Sequence, residues 1–114
     1  MLDRDGLISF ARDIVRIPSL SGEEADVSRR IEGEMVALGF DRVWTDDVGN
    51  VVGVLEGAQP GPTIVFDAHT DTVGVSPGVP WELDPFSGEV RGGALHGRGA
   101  ADMKGALAAM VHGI

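Results

Sequence analysis

Cysteine is absent from this 114-residue chain. That excludes a disulfide scaffold, a thiolate zinc site and an iron–sulfur cluster, so any metal ligands have to be imidazole or carboxylate. Basic residues are few: nine Lys and Arg stand against eighteen Asp and Glu, a formal net charge of −9. Phosphate binding needs a basic face, so no nucleic-acid partner is expected. The same acidity suits cations, because carboxylate clusters are where hard and borderline metals bind. Long apolar runs are missing too. Met1-Leu2-Asp3-Arg4-Asp5-Gly6 is charged and lacks an apolar signal core, and the stretch from Ala106 to Val111 is far too short to span a bilayer. No membrane partner is expected, and the plain reading is a cytoplasmic protein. What is present, 43% apolar and 24% charged residues, is an ordinary globular composition able to bury a core.

Helical periodicity dominates the first third. Leu7, Ile8, Ala11, Ile14 and Val15 share one face of a helix expected over 3–16, which Pro18 ends. Ser21-Gly22-Glu23-Glu24 has the form of a capping box. It would start a second helix with Val27, Ile31, Met35 and Leu38 on its inner stripe and Gly39 after its end. Short β-branched runs then follow at 42–45, 50–55 and 63–66, separated by Asp46-Asp47-Val48-Gly49 and by a Gly- and Pro-rich loop over 57–62. Residues 73–87, with Pro77, Pro80 and Pro85, read as an irregular loop, and 89–91 as a short strand before Gly92-Gly93. From Asp102 the pattern is helical again. Helices, then strands, then a helix leading onward is an α/β order with a mostly covered sheet. No strand follows to use the last helix's apolar face, so the chain reads as truncated.

Two segments carry chemistry. The first is Val65-Phe66-Asp67-Ala68-His69-Thr70-Asp71. Residues i and i+2 of an extended segment point to the same side, so the His69 imidazole and the Asp71 carboxylate are expected as neighbours. Both could be metal ligands, Asp71 could hydrogen-bond the ring nitrogen that a metal leaves free, or the pair could simply bond across a loop. The second segment is Gly97-Arg98-Gly99-Ala100-Ala101-Asp102-Met103-Lys104-Gly105. It begins like a dinucleotide loop, but Asp102 stands where the third glycine belongs and would repel a pyrophosphate. It also lacks the full phosphate-loop pattern. A permissive turn presenting Asp102 to a cation at a helix start uses every residue.

Three ordered blocks give a family resemblance: Phe66-Asp67-Ala68-His69-Thr70-Asp71-Thr72-Val73, then Trp81-Glu82-Leu83-Asp84-Pro85-Phe86, then Leu95-His96-Gly97-Arg98-Gly99-Ala100-Ala101-Asp102-Met103-Lys104-Gly105. Together they resemble the metal-binding core of the M20 metallopeptidases, a family with aminoacylase-like and carboxypeptidase-like amidohydrolases. A weaker match over 5–57 includes Ser19-Leu20-Ser21-Gly22-Glu23 and Gly49-Asn50. The resemblance implies the N-terminal part of a zinc-peptidase-like α/β catalytic domain, an incomplete sheet with flanking helices, over 1–114. It implies that His69 binds one metal, that Asp71 orients His69, and that Asp102 bridges two metals, usually Zn2+, with Co2+ or Mn2+ as substitutes. Two such ions about 3.5–4 Å apart hold a hydroxide, lower its pKa toward about 7 and polarise a scissile amide carbonyl. A cis peptide bond is implied after the bridging aspartate, at Asp102–Met103. The implied substrates are N-acyl amino acids or small peptides, with deacylation of the acetylornithine or succinyl-diaminopimelate type favoured.

The resemblance also implies parts that this chain does not supply. A general base, an adjacent glutamate ligand, a further acidic ligand and a last histidine follow the bridging aspartate in the family. After Asp102 this sequence has no Asp or Glu, and His112 is its only later imidazole. The inserted domain that makes family members dimers is absent as well. The 114-residue chain alone is therefore expected to be inactive. A non-catalytic binding module of the same fold is the main alternative. A non-haem iron oxygenase with His69, Asp71 and His112 as ligands is a lesser one, since it calls for an all-β fold. An acidic structural domain would leave the small residues around Asp71 and Asp102 unexplained. His96 reads as a bystander, Arg98 as a tie within its turn, Trp81 and Phe86 as loop packing, and Lys104 as an exposed helix lysine.

Overall fold

Asp3 starts the first helix. Its carboxylate accepts a hydrogen bond from the Gly6 N–H at 3.0 Å, filling one of the four donors that a helix start leaves open. The computed structural model describes residues 2–114. Helix α1 (Arg4–Arg16) buries Phe10, Ala11, Ile14 and Val15. Phe10 is completely buried, although it lies beside the stripe that periodicity picks out, while Leu7 and Ile8 are only half-buried.

Helix α2 (Ala25–Ala37) starts without the expected capping box. Glu24, not Ser21, is its N-cap, and no side chain caps it. Glu24 Oε1 instead accepts from the Gly22 N–H at 2.8 Å. The Ser21 hydroxyl donates to the carboxylate of Asp71, and a charged acceptor is a stronger partner than a backbone amide. Val27, Ile31 and Met35 face inward as expected, whereas Leu38 is exposed and Gly39 turns the chain at φ +82°.

Strands β1 (Arg42–Thr45) and β2 (Val51–Val54) form an antiparallel hairpin in the register Arg42↔Val54 and Thr45↔Val51. Asp46 closes it: its carboxylate accepts from the Val48 N–H at 3.0 Å, the Asn50 N–H at 2.8 Å and Asn50 Nδ2 at 2.9 Å. These bonds hold the Asp46 carboxyl below its ordinary pKa, the Asn50 side chain contributing most. The hairpin lies so close to α2 that a Cβ on Gly53 would meet Met35 Sδ and the Phe40 ring at 2.7 Å. Strands β3 (Glu89–Arg91) and β4 (Ala94–His96) form a second hairpin, turned by Gly92 and Gly93, both at positive φ. After it come a π-type turn (Ala100–Lys104) and helix α3 (Gly105–Gly113).

This is a mixed α/β arrangement of helices with pieces of sheet, in the element order expected. Two expectations fail in detail. The strand anticipated over 63–66 is not formed, and Ile64, Val65 and Phe66 are 74%, 83% and 57% exposed. Strand preference expresses packing against neighbours more than a backbone bias, and no strand among the described residues pairs with this segment. For the same reason the strands make two separate two-stranded hairpins rather than one covered sheet. The core sits between the helices: Phe10, Ala11 and Ile14 of α1, Val27, Ile31 and Met35 of α2, and Leu107, Ala108 and Val111 of α3. Among the described residues no helix is long and apolar enough to cross a membrane.

Candidate functional site

The loop between α1 and α2 positions the first motif. The Thr72 N–H donates to the Ser19 carbonyl at 2.8 Å, and Ser19 Oγ donates to the Thr70 carbonyl at 2.8 Å. A parallel bridge joins Leu20 to Thr72. Residues 70–72 are thus laid alongside residues 19–21, in place of the strand pairing that 63–66 lacks.

Glycines bring the second motif against the first. Gly99 adopts φ +77°, and a Cβ there would lie 2.3 Å from Thr72 Cγ2; at Gly97 it would lie 2.3 Å from Val15 Cγ1. Only glycine lets the turn approach this closely. Beyond Gly99 the backbone leaves helical geometry at Asp102 (φ −130°, ψ 93°) and Met103 (φ −134°, ψ 30°). The Asp102–Met103 peptide bond is cis, as the sequence resemblance implies.

The result brings His69, Asp71 and Asp102 together. His69 Nε2 lies 2.9 Å from Asp102 Oδ1. On the other side of the ring, His69 Nδ1 lies 3.0 Å from the Asp71 carbonyl oxygen and 3.3 Å from Asp71 Oδ1. Hydrogen bonding to Asp102, then to the Asp71 carbonyl, raises the His69 pKa above its ordinary value. The Asp71 carboxyl is held below its own, first by the Ser21 hydroxyl and then by His69. The Asp102 side chain is 88% exposed. A cavity of about 260 Å³ opens between the two motifs, lined by His69, Asp71, Thr72, Arg98, Gly99 and Asp102 among others.

The donor set fits a metal in part. Two ligands about 2.0–2.1 Å from a tetrahedral zinc lie roughly 3.3 Å apart, and the 2.9 Å between Nε2 and Oδ1 is near that spacing. With Nδ1 engaged by Asp71, Nε2 faces Asp102, and a metal between them would take the place of the hydrogen bond they share. Among the described residues, however, no group of three or more His, Cys, Asp or Glu could hold an ion. What the described residues bring together is His69, Asp71 and Asp102.

Other candidates are placed elsewhere. The His112 side chain is buried, bonded to Glu34 Oε1 at 2.8 Å and packed 5.7 Å from the Phe10 ring. Among the described residues His112 does not join His69 and Asp71 in a ligand group, as the oxygenase reading requires. His96 Nε2 meets the Arg91 carbonyl at 3.2 Å. Arg98 ties the turn through its N–H to the Pro85 carbonyl at 2.7 Å, and its guanidinium lies 5.2 Å from the Trp81 ring centre. Lys104 corrects the expectation of an exposed lysine: it is 1% exposed, and its Nζ donates to the Ile17 carbonyl at 2.7 Å. Burial pushes its pKa down to about 8. Sequence reasoning also missed Ser19 and Ser21 as parts of the site. Their alternation, i and i+2 beside Leu20, was the signal of an extended edge, masked by a plausible helix cap.

Residues 65–114 match the sequence profile of peptidase family M20/M25/M40. The chain is 43% identical over 104 residues to the uncharacterized protein YgeY of Escherichia coli K12, covering 90% of this chain and 25% of that protein. It is 38% identical over 111 residues to a succinyl-diaminopimelate desuccinylase of Rhodospirillum centenum and 39% identical over 111 residues to one of Bradyrhizobium diazoefficiens. In both cases the match covers 91% of this chain and 28% of the relative. The chain spans about a quarter of the length of the curated relatives it matches.

Proposed function

We propose, for a chain that belongs to peptidase family M20/M25/M40, that it contributes His69, Asp71 and Asp102 to a metal-dependent amide hydrolase. The supporting observation is the 2.9 Å approach of His69 Nε2 to Asp102 Oδ1, with His69 Nδ1 held from behind by Asp71. His69 and Asp102 would hold the metal, Zn2+ in the first instance, with Asp102 shared between two such ions. A metal held there would supply Lewis-acid chemistry, activating water near neutral pH and polarising a substrate carbonyl. The chain's own groups prepare for this. Asp71 fixes the tautomer of His69 by keeping a proton on Nδ1, which leaves the Nε2 lone pair directed at the site. The glycines at 97 and 99 bring the turn of Asp102 to within reach of residues 69–72.

The substrate class is an N-acyl amino acid or a small peptide, and the named desuccinylases favour removal of an acyl group from an amino-acid nitrogen. A general base and further ligands are needed to position the attacking water. They are to come from outside residues 1–114, and the isolated chain is inactive on this reading.

The test is a chimera in which residues 1–114 replace the matching segment of the Rhodospirillum centenum desuccinylase. Amide hydrolysis that a chelator abolishes, zinc restores, and His69→Ala or Asp102→Ala eliminates is the expected result. A folded chimera that keeps its activity with either substitution overturns the proposal.

A further inference from the structure

We infer that Ser21 is a positioning residue for the metal ligand His69, acting through the Asp71 carboxylate; this rests on the metal-site reading above. A carboxylate rotates readily about its last bond, and the Asp71 side chain is 38% exposed. Left alone it would spend part of its time turned to water. Two contacts fix it. Asp71 Oδ2 accepts a hydrogen bond from Ser21 Oγ, and Oδ1 is thereby placed 3.3 Å from His69 Nδ1. The hydroxyl holds one oxygen so that the other faces the imidazole.

The loop carrying Ser21 is itself fixed on both sides. Ser19 makes two hydrogen bonds to residues 70–72, through its carbonyl to the Thr72 N–H and through its hydroxyl to the Thr70 carbonyl. At the start of the same loop, the Ile17 carbonyl accepts from the buried ammonium of Lys104, two residues beyond Asp102. One short loop therefore sets the relative placement of both ligand segments, and Ser21 is its side-chain contact with the acid behind His69. The hydroxyl is free for this because it caps no helix. Ser21 is exposed, so its loss should alter ring orientation without removing core packing.

The experiment compares the chain with Ser21→Ala and Ser21→Thr, using 15N-labelled histidine and zinc alone as the probe. Without metal, the Nδ1 proton of His69 should exchange with water at least about threefold faster in Ser21→Ala, and Ser21→Thr, which keeps the hydroxyl, should restore it. Changing a ligand's hydrogen-bonding partner typically costs about 10–100-fold in metal affinity. Ser21 acts one bond further out, so its removal should weaken zinc binding at His69 by roughly threefold to tenfold, with an unchanged melting temperature. Equal proton exchange in wild type and Ser21→Ala overturns the inference, as does a Ser21→Thr variant no better than Ser21→Ala. In the desuccinylase chimera carrying residues 1–114, zinc that leaves the His69 ring nitrogens unmoved refutes the metal-site reading instead, and the proton-exchange comparison still decides the role of Ser21.

Discussion

Gly99→Ala separates the two constraints that bring Asp102 into place. The first is conformational. Gly99 sits at φ +77°, in the left-handed region, where a side chain costs about 1–2 kcal/mol. The second is steric. The new Cβ would lie 2.3 Å from Thr72 Cγ2, against about 3.5–4.0 Å for carbon atoms in contact. One of the two segments must move by more than an ångström, and overpacking of this kind costs about 1–3 kcal/mol. The sum is roughly 2–5 kcal/mol, a large share of the stability of an ordinary domain. Thr72→Ser removes Cγ2, and Thr72 Cβ at 3.5 Å then leaves ordinary contact. In that background Gly99→Ala should cost only the conformational part, about 1–2 kcal/mol. Urea unfolding at pH 7, followed by tryptophan fluorescence, measures both. The difference between backgrounds is the coupling between Gly99 and Thr72. If Gly99→Ala alone leaves no cooperative transition, its return in the double variant reports the same coupling. Equal losses in both backgrounds would refute the claim that Thr72 and Gly99 bring the two motifs into contact.

Three further perturbations test other parts of the account. Phe10→Ala should cost about 3–5 kcal/mol by opening a cavity between the three helices, and Phe10→Leu clearly less, both read from urea midpoints. Lys104, pushed down to about 8 from 10.5, is more easily deprotonated folded than unfolded. Between those values the unfolded chain binds more protons, so stability should rise as pH increases from 8 to 10.5, by at most about 3 kcal/mol. Lys104→Met should flatten that rise in denaturation midpoints. Asp46 acts with the same sign in the acid range: its carboxyl is held below the ordinary 3.8, so its contribution is present above that pH and lost as pH falls through the lowered folded value, and stability again rises with pH. Asp46→Asn should weaken this acid dependence, as measured by thermal melts between pH 2 and 5.

Legibility in the sequence followed the range of the interactions. The helices and the 42–45/51–54 hairpin rest on local periodicity and on the Asp46 turn, and both are visible over a few residues. The approach of His69 to Asp102 was read from motif resemblance, because 33 residues separate them and no local pattern joins them. Ser21 was misread for a physical reason: its spacing to Glu24 suits a cap, but an acid fifty residues away captured the hydroxyl. Lys104 was misread because composition favours exposure for lysine, whereas a carbonyl at the end of α1 gave its ammonium a buried partner. The apolar run 63–66 failed as a strand because strands need neighbours, and none of the described strands lies beside it.

The central claim is that His69 and Asp102 bind one ion together, His69 through Nε2 with Asp71 behind it. A zinc titration of the desuccinylase chimera carrying residues 1–114, followed on the ring nitrogens of His69, tests it most directly. The account predicts a saturable shift at Nε2, a proton retained on Nδ1, and loss of the shift in Asp102→Ala. Zinc bound through Nδ1, or a shift that Asp102→Ala leaves unchanged, would contradict it.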